Sequence, residues 1–392
     1  MAQPASLHVV VIGAGLAGYG VLRELRRLAP DARLTLIAAD DGHFYSKPAL
    51  STALAKGKTA KSLVTIPAAK MAASLNLDIR SGRIVEAIIA DQQVILTTGG
   101  PLAYDKLVIA MGAHPIRAAI DGDGALRAVS VNHLDHYADF RQRLPAGGRV
   151  LIIGAGLVGT EFANDLASSG YAPIVVDMLG APLAQLVPPE AGDAIRAALS
   201  AKGVAWHFGR RVGAIHRNGA ASRAVLDDGT VIDCDAVLSA VGLRPNTALA
   251  RDAGLTVADA IIVDSTGRTS DPHIFAIGDC AQYPSGVAAY VTPIMAAARA
   301  IAPSVLGTPT AIDFPPLSVQ VKTTLCPMVL LPVRAGTPGA WATVESDETG
   351  AKYLFRNSDG TMLGYVLTHD KCASRVDLDR EIAAQAAYKE AA

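Results

Sequence analysis

Val9 to Ile12 is a run of four apolar, β-branched residues, the composition of a strand buried on both faces. It breaks into Gly13-Ala14-Gly15 and Gly18, and Tyr19 to Leu28 then reads as a helix. A second strand over Leu34–Ala38 leads to Asp40, 22 residues past Gly18. The same order returns at 150–153, VLII, followed by Gly154, Gly156 and Gly159, a helix, a strand over Ile174–Val176 and Asp177, 18 residues past Gly159. Three more apolar runs end on glycine or an acid: 104–112 (YDKLVIAMG), 235–247 (DAVLSAVGLRPNT) and 270–280 (SDPHIFAIGDC). Pro293 sits where a helix over Ile294–Ala302 begins. Strand patterns at Met328–Pro332, Trp341–Val344 and Tyr353–Phe355 follow, with a hairpin turn at Asn357–Gly360.

The repeated strand–glycine–helix–strand–acid order carries chemistry. In G-x-G-x-x-G the first glycine permits the tight turn and the second lets backbone approach a pyrophosphate. The third allows close helix–strand packing, and the acid bonds the ribose hydroxyls. The helix N-terminus offers free N–H groups to phosphate. Asp177 would repel a 2′-phosphate, and no Arg stands at Met178, Leu179 or Gly180, so NADH is favoured over NADPH. The two turns start 141 residues apart, the separation of two dinucleotide domains, and two dinucleotides imply electron transfer between them.

Composition narrows the alternatives. The chain has 392 residues, long enough for two or three domains. Its 35 basic and 36 acidic residues argue against a nucleic-acid binder, and 51% apolar content argues against disorder. Cys234, Cys280, Cys326 and Cys372 are separated by at least 45 residues, so no CxxC pair, zinc ribbon or local disulfide framework exists. His43, His114 and His207 lack metal-ligand spacing, so no metal is expected. There is no basic start with a long apolar stretch and no run of membrane-spanning length, which points to the cytoplasm.

These motifs, across essentially the whole chain, resemble the FAD-dependent pyridine nucleotide-disulfide oxidoreductase superfamily. The resemblance implies an α/β fold of two Rossmann-like dinucleotide-binding domains, one inserted in the other, plus a small α+β C-terminal domain. The expected FAD domain joins 1–113 with 243–313, the NADH domain is 114–242, and the C-terminal domain is 314–392. FAD and NADH are the implied cofactors. The resemblance assigns Asp279 to the ribityl chain of FAD, with a helix N-cap or turn acid as the bland alternative. It places Val291 and Thr292 at a helix start facing the flavin pyrimidine. It counts Ala14, Ala110 and Gly242 among the cofactor-lining positions, and gives the backbone of Ile84 to adenine, its side chain being a core residue.

Relatives that reduce disulfides keep thiols where this chain has Ser46 and Lys47. With no thiol relay, electrons leave the flavin directly, as suits one-electron acceptors. YSKPALS, GLVGTEFANDLASSGY (156–171) and VKTTLCP (321–327) resemble the rubredoxin-reductase branch. That branch implies hydride transfer from NADH to flavin N5 and single electrons to rubredoxin, a small acidic iron protein. It also implies catalytic roles for Lys47 and Glu161 as an ion pair beside the flavin, with Lys322 a further member. A solvated lysine and a helix-dipole acid are the alternatives. Lys47, Lys56, Lys58, Lys61 and Lys70 stand between Gly42 and Leu77 with no acid among them, a patch that would steer an acidic partner. A ferredoxin reductase feeding an oxygenase, a slow-turnover NADH-sensing flavoprotein and an NADH oxidase are the rival readings. Alkane degradation or oxidative-stress defence would be the process fed, and the chain would be a monomer or homodimer.

Overall fold

The computed structural model describes residues 7–391 apart from 289, 315 and 317. By internal contact it divides into two compact units. The first comprises residues 1–47, 64–114 and 243–315, and the second comprises 48–63, 115–242 and 316–392.

In the first unit, His8–Ile12 is the middle strand of a five-stranded parallel sheet, with all five residues buried. Arg33–Ile37 and Asp78–Arg80 lie to one side, and Lys106–Ile109 and Ile274–Ala276 to the other. Parallel strands covered on both faces need apolar residues at every position, which is why the run at 9–12 does not alternate. The helices Leu16–Leu28 and Val291–Val305 pack together through small residues; a Cβ on Gly20 would stand 3.3 Å from the Ala298 Cβ. A three-stranded antiparallel sheet, Val85–Ile89, Val94–Thr97 and Gly100–Ala103, completes the unit's main elements.

In the second unit, Arg149–Ile153 is again the middle of a five-stranded parallel sheet, ordered 128–129, 236–239, 149–153, 172–177 and 205–208. The C-terminal segment forms a five-stranded antiparallel sheet, ordered 319–321, 328–331, 362–368, 350–356 and 340–347, followed by the helix Arg375–Ala391. The turn expected at 357–360 joins two of these strands. Asn357 and Thr361 hold it, since Asn357 Oδ1 accepts the Thr361 N–H at 2.9 Å. The apolar run 317–321 predicts a strand ahead of Lys322; Val319–Val321 forms it, and Leu317 lies outside the described residues.

The C-terminal sheet groups with the second nucleotide half rather than standing alone. One apolar cluster runs from Phe162, Leu166 and Ile195 of the nucleotide half to Val321, Met328, Leu330 and Val366 of the C-terminal sheet. A shared core buries the inner face of that sheet, whereas its outer face closes on Leu378.

Candidate active site

Each glycine turn is shaped by collisions that only glycine avoids. Gly13 has φ +112°, and a Cβ there would strike the Ala110 carbonyl oxygen; one on Gly18 would strike the Gly13 carbonyl. Gly15 is different: nothing lies within 4 Å of its Cβ position, and the residue is exposed. The helix it opens has no side-chain cap and no acid in its first turn, so its leading N–H groups face that open space. The second turn repeats this. Gly154 (φ +103°) crowds the Ala240 carbonyl, at 2.6 Å from the Cβ position, Gly159 crowds the Gly154 carbonyl, and Gly156 is open and uncapped. Both cradles fit a dinucleotide pyrophosphate.

The two acids are already at work on the backbone. Asp40 Oδ1 accepts the Gly42 N–H at 2.9 Å. Asp177 accepts the Ala155 N–H at 2.6 Å and the Leu179 N–H at 2.7 Å, tying the glycine turn to the loop after its strand. Met178 and Leu179 are exposed and uncharged. Gly242 (φ +113°) closes the unit's return segment, its carbonyl accepting the Ile116 N–H at 3.0 Å.

In the first unit Asp279 sits in a single turn, Gly278–Cys280, directly after the strand Ile274–Ala276. Burial raises its pKa, and the Lys47 ammonium pulls it back down. Lys47 is accessible to solvent, yet enough protein surrounds it that desolvation lowers its pKa, opposed by Asp279 and Asp40. Val291 and Thr292 are exposed at the uncapped start of the helix Val291–Val305. Cys280 is buried, its thiol directed at the Ile109 and Ile277 carbonyls and pushed up to about 11 by burial, so it is no nucleophile. Ile84 departs from expectation. Its N–H donates to Thr98 Oγ1 at 3.2 Å, and its carbonyl accepts the Thr98 N–H at 3.0 Å, which leaves that oxygen a second lone pair. Its side chain is 57% exposed rather than part of the core, because the residue precedes the strand Val85–Ile89 instead of lying in it.

Glu161 belongs to the second unit. It lies in the second turn of the helix Leu157–Ser168 and is 3% exposed. Its partner lysine is Lys322, whose Nζ stands 2.5 Å from Oε2 and whose backbone N–H donates to Oε1 at 3.1 Å. Ser51 Oγ donates to the same Oε2 at 2.6 Å. Within the second unit Lys322 thus reaches Glu161, as the resemblance implied of it, and within the first unit Lys47 faces Asp279 and Asp40.

Three positions on that helix form a buried polar face that sequence reading missed, apart from Glu161. Glu161, Asn164 and Asp165 have i, i+3, i+4 spacing. Asn164 donates to Thr324 Oγ1 at 3.2 Å and accepts the Leu325 N–H at 3.0 Å. Asp165, 2% exposed, accepts the Leu54 and Ala55 N–H groups at 2.8 and 3.0 Å. Burial raises its pKa to about 6 against those bonds and nearby Lys56. Nothing local marks Asn164 and Asp165 as buried, since Thr160, Glu161 and Ser168 are polar on the same helix. Segment 48–63 is therefore fastened to the second unit: the Lys58 carbonyl also accepts from Tyr137 Oη at 2.8 Å and from Arg141. Lys56, Lys58 and Lys61 are exposed on it.

Two open glycine cradles, each with its acid, define a protein built to hold two dinucleotides. Residues 7–302 match the family described as pyridine nucleotide-disulphide oxidoreductase, and the chain belongs to it. That family uses FAD and NAD(H). Residues 311–382 match a rubredoxin binding C-terminal domain. The chain is 39% identical to a rubredoxin-NAD(+) reductase of Alcanivorax borkumensis over 96% of this chain and 98% of that one. It is 38% identical to the enzyme of that name from Acinetobacter baylyi, over 92% and 93%. Among solved structures, a ferredoxin reductase from Rhodopseudomonas palustris superposes with TM-score 0.87 at 29% identity, covering 94% of this chain and 92% of that one. Among the described residues, no helix is long and apolar enough to cross a membrane.

Proposed function

We propose that this chain is an FAD-dependent rubredoxin–NAD(+) reductase. One observation carries the choice of acceptor: the C-terminal segment, which shares a core with the nicotinamide half, is itself a match to a rubredoxin binding domain. When bound, FAD accepts a hydride from NADH and gives electrons up singly. The protein's part is to bind, orient and tune. Gly13, Ala14, Gly15, Gly18, Asp40 and Ala110 would cradle FAD in residues 1–113 with 243–313, and Asp279 would hold its ribityl chain. Gly154, Gly156, Gly159, Asp177 and Gly242 would cradle NADH in residues 114–242. Lys47 and the start of the helix at Val291 would favour negative charge on the bound flavin. Glu161 and Lys322 would line the nicotinamide side. The exposed lysines 56, 58 and 61 would receive an acidic partner, with residues 314–392 as the docking domain. The cytoplasm is the proposed location.

The ferredoxin reductase likeness supports a second reading, in which the acceptor is a ferredoxin. Stopped-flow reduction by NADH, followed by reoxidation with purified rubredoxin, ferredoxin or oxygen, tests the two. Fastest reoxidation by rubredoxin is expected; fastest reoxidation by ferredoxin would overturn the assignment.

A further inference from the structure

Ser51 stands 110 positions from Glu161 in sequence, on a segment that the sequence assigns to the flavin half. The structure fastens that segment to the nicotinamide half instead. Ser51 is 5% exposed, and its hydroxyl donates to Glu161 Oε2 at 2.6 Å, the oxygen that also takes Lys322 Nζ. Lys322 N–H holds the other oxygen. Three donors from two distant segments therefore converge on one carboxylate, one turn beyond the glycine cradle at Gly156. A free glutamate samples many rotamers, and each must be given up to reach one reactive arrangement. Here three hydrogen bonds supply that ordering. The Ser51 hydroxyl is committed to this carboxylate, since its contact with the Pro48 carbonyl is a long 3.3 Å.

We propose that Ser51 is a positioning residue for hydride transfer, fixing the Glu161 carboxylate together with Lys322. This rests on the reading of Glu161 as a nicotinamide-side residue. Alanine at position 51 frees Oε2 from one donor and leaves Glu161 held by Lys322 alone. Threonine keeps the hydroxyl.

The test uses the full-length, FAD-loaded protein. In anaerobic single-turnover reduction by NADH, Ser51→Ala should slow flavin reduction about tenfold with the NADH dissociation constant changed less than about twofold, and Ser51→Thr should restore the rate. In a Glu161→Gln background, Ser51→Ala should add no further loss, because both act through one carboxylate. A readout independent of turnover is amide exchange at Lys322, whose N–H is held by Oε1; it should quicken about fivefold or more in Ser51→Ala. A wild-type reduction rate and unchanged Lys322 exchange in Ser51→Ala would overturn the proposal, as would an equal loss in the Glu161→Gln background. A Glu161→Gln protein that reduces at the wild-type rate would instead overturn the reading of Glu161 itself, whatever Lys322 exchange shows.

Discussion

Replacing Asp165 with asparagine separates burial from hydrogen bonding at the joint between the Leu157–Ser168 helix and segment 48–63. The carboxyl is buried, with a pKa raised from 3.8 to about 6. A raised folded-state value means that the folded chain holds the proton more tightly than the unfolded one. The group's stabilising contribution is therefore complete below about pH 4 and is lost as pH rises through about 6. A tenfold difference in proton affinity is worth about 1.4 kcal/mol, so the whole swing is about 3 kcal/mol, of which about 2 kcal/mol falls between about pH 4.5 and about pH 7.5. Asparagine does not titrate. It accepts one of the Leu54 and Ala55 N–H groups and leaves the other facing its amide, at about 1–3 kcal/mol. That penalty is nearly independent of pH, whereas the ionisation penalty it replaces is not. Relative to wild type, the asparagine variant should gain about 2 kcal/mol between about pH 4.5 and about pH 7.5. Urea unfolding followed by circular dichroism at the two pH values measures this directly. A stability difference that is the same at both, within about 0.5 kcal/mol, would refute the assignment of a buried, reluctantly ionised carboxylate at this joint.

Further outcomes follow from the two units. Asp177→Ala should bring the KM values for NADH and NADPH closer together and lower stability by about 1–3 kcal/mol, since Ala155 and Leu179 lose their shared acceptor; kinetics with both nucleotides and a melting curve check it. Charge reversal at Lys58 and Lys61 should raise the apparent KM for rubredoxin and flatten its salt dependence without altering flavin reduction by NADH; an unchanged salt slope would remove the patch from the docking surface. Lys47→Met should lower the flavin reduction potential, measured by equilibrium dye titration, by removing the ammonium that faces Asp279; an unchanged potential would show that Lys47 does not act on the flavin.

The nucleotide cradles were legible because their determinants are local. A strand buried on both faces must be apolar throughout, and a turn whose Cβ positions collide with the Ala110 or Ala240 carbonyl must be glycine. Those requirements write themselves into ten consecutive residues, twice. The acids at 40 and 177 and the turn at 357–360 were visible for the same reason. The hold on Glu161 was legible only in part: the sequence offered Lys322 as a member of its network, but only the folded chain brings both the Lys322 Nζ and its backbone N–H to the carboxylate. Ser51, Asn164 and Asp165 were silent because a polar side chain carries no mark of burial until its donors arrive, here from segments more than 100 residues away. Ile84 differs in the opposite sense, an apolar side chain expected in the core that stands exposed just before the strand Val85–Ile89. The two dinucleotide folds and their cofactor class were thus written in the sequence, since both depend on neighbouring residues. That segment 48–63 and the C-terminal sheet join the second nucleotide half emerged only on folding, because buried hydrogen bonds and a shared apolar core are satisfied between positions that no local pattern connects.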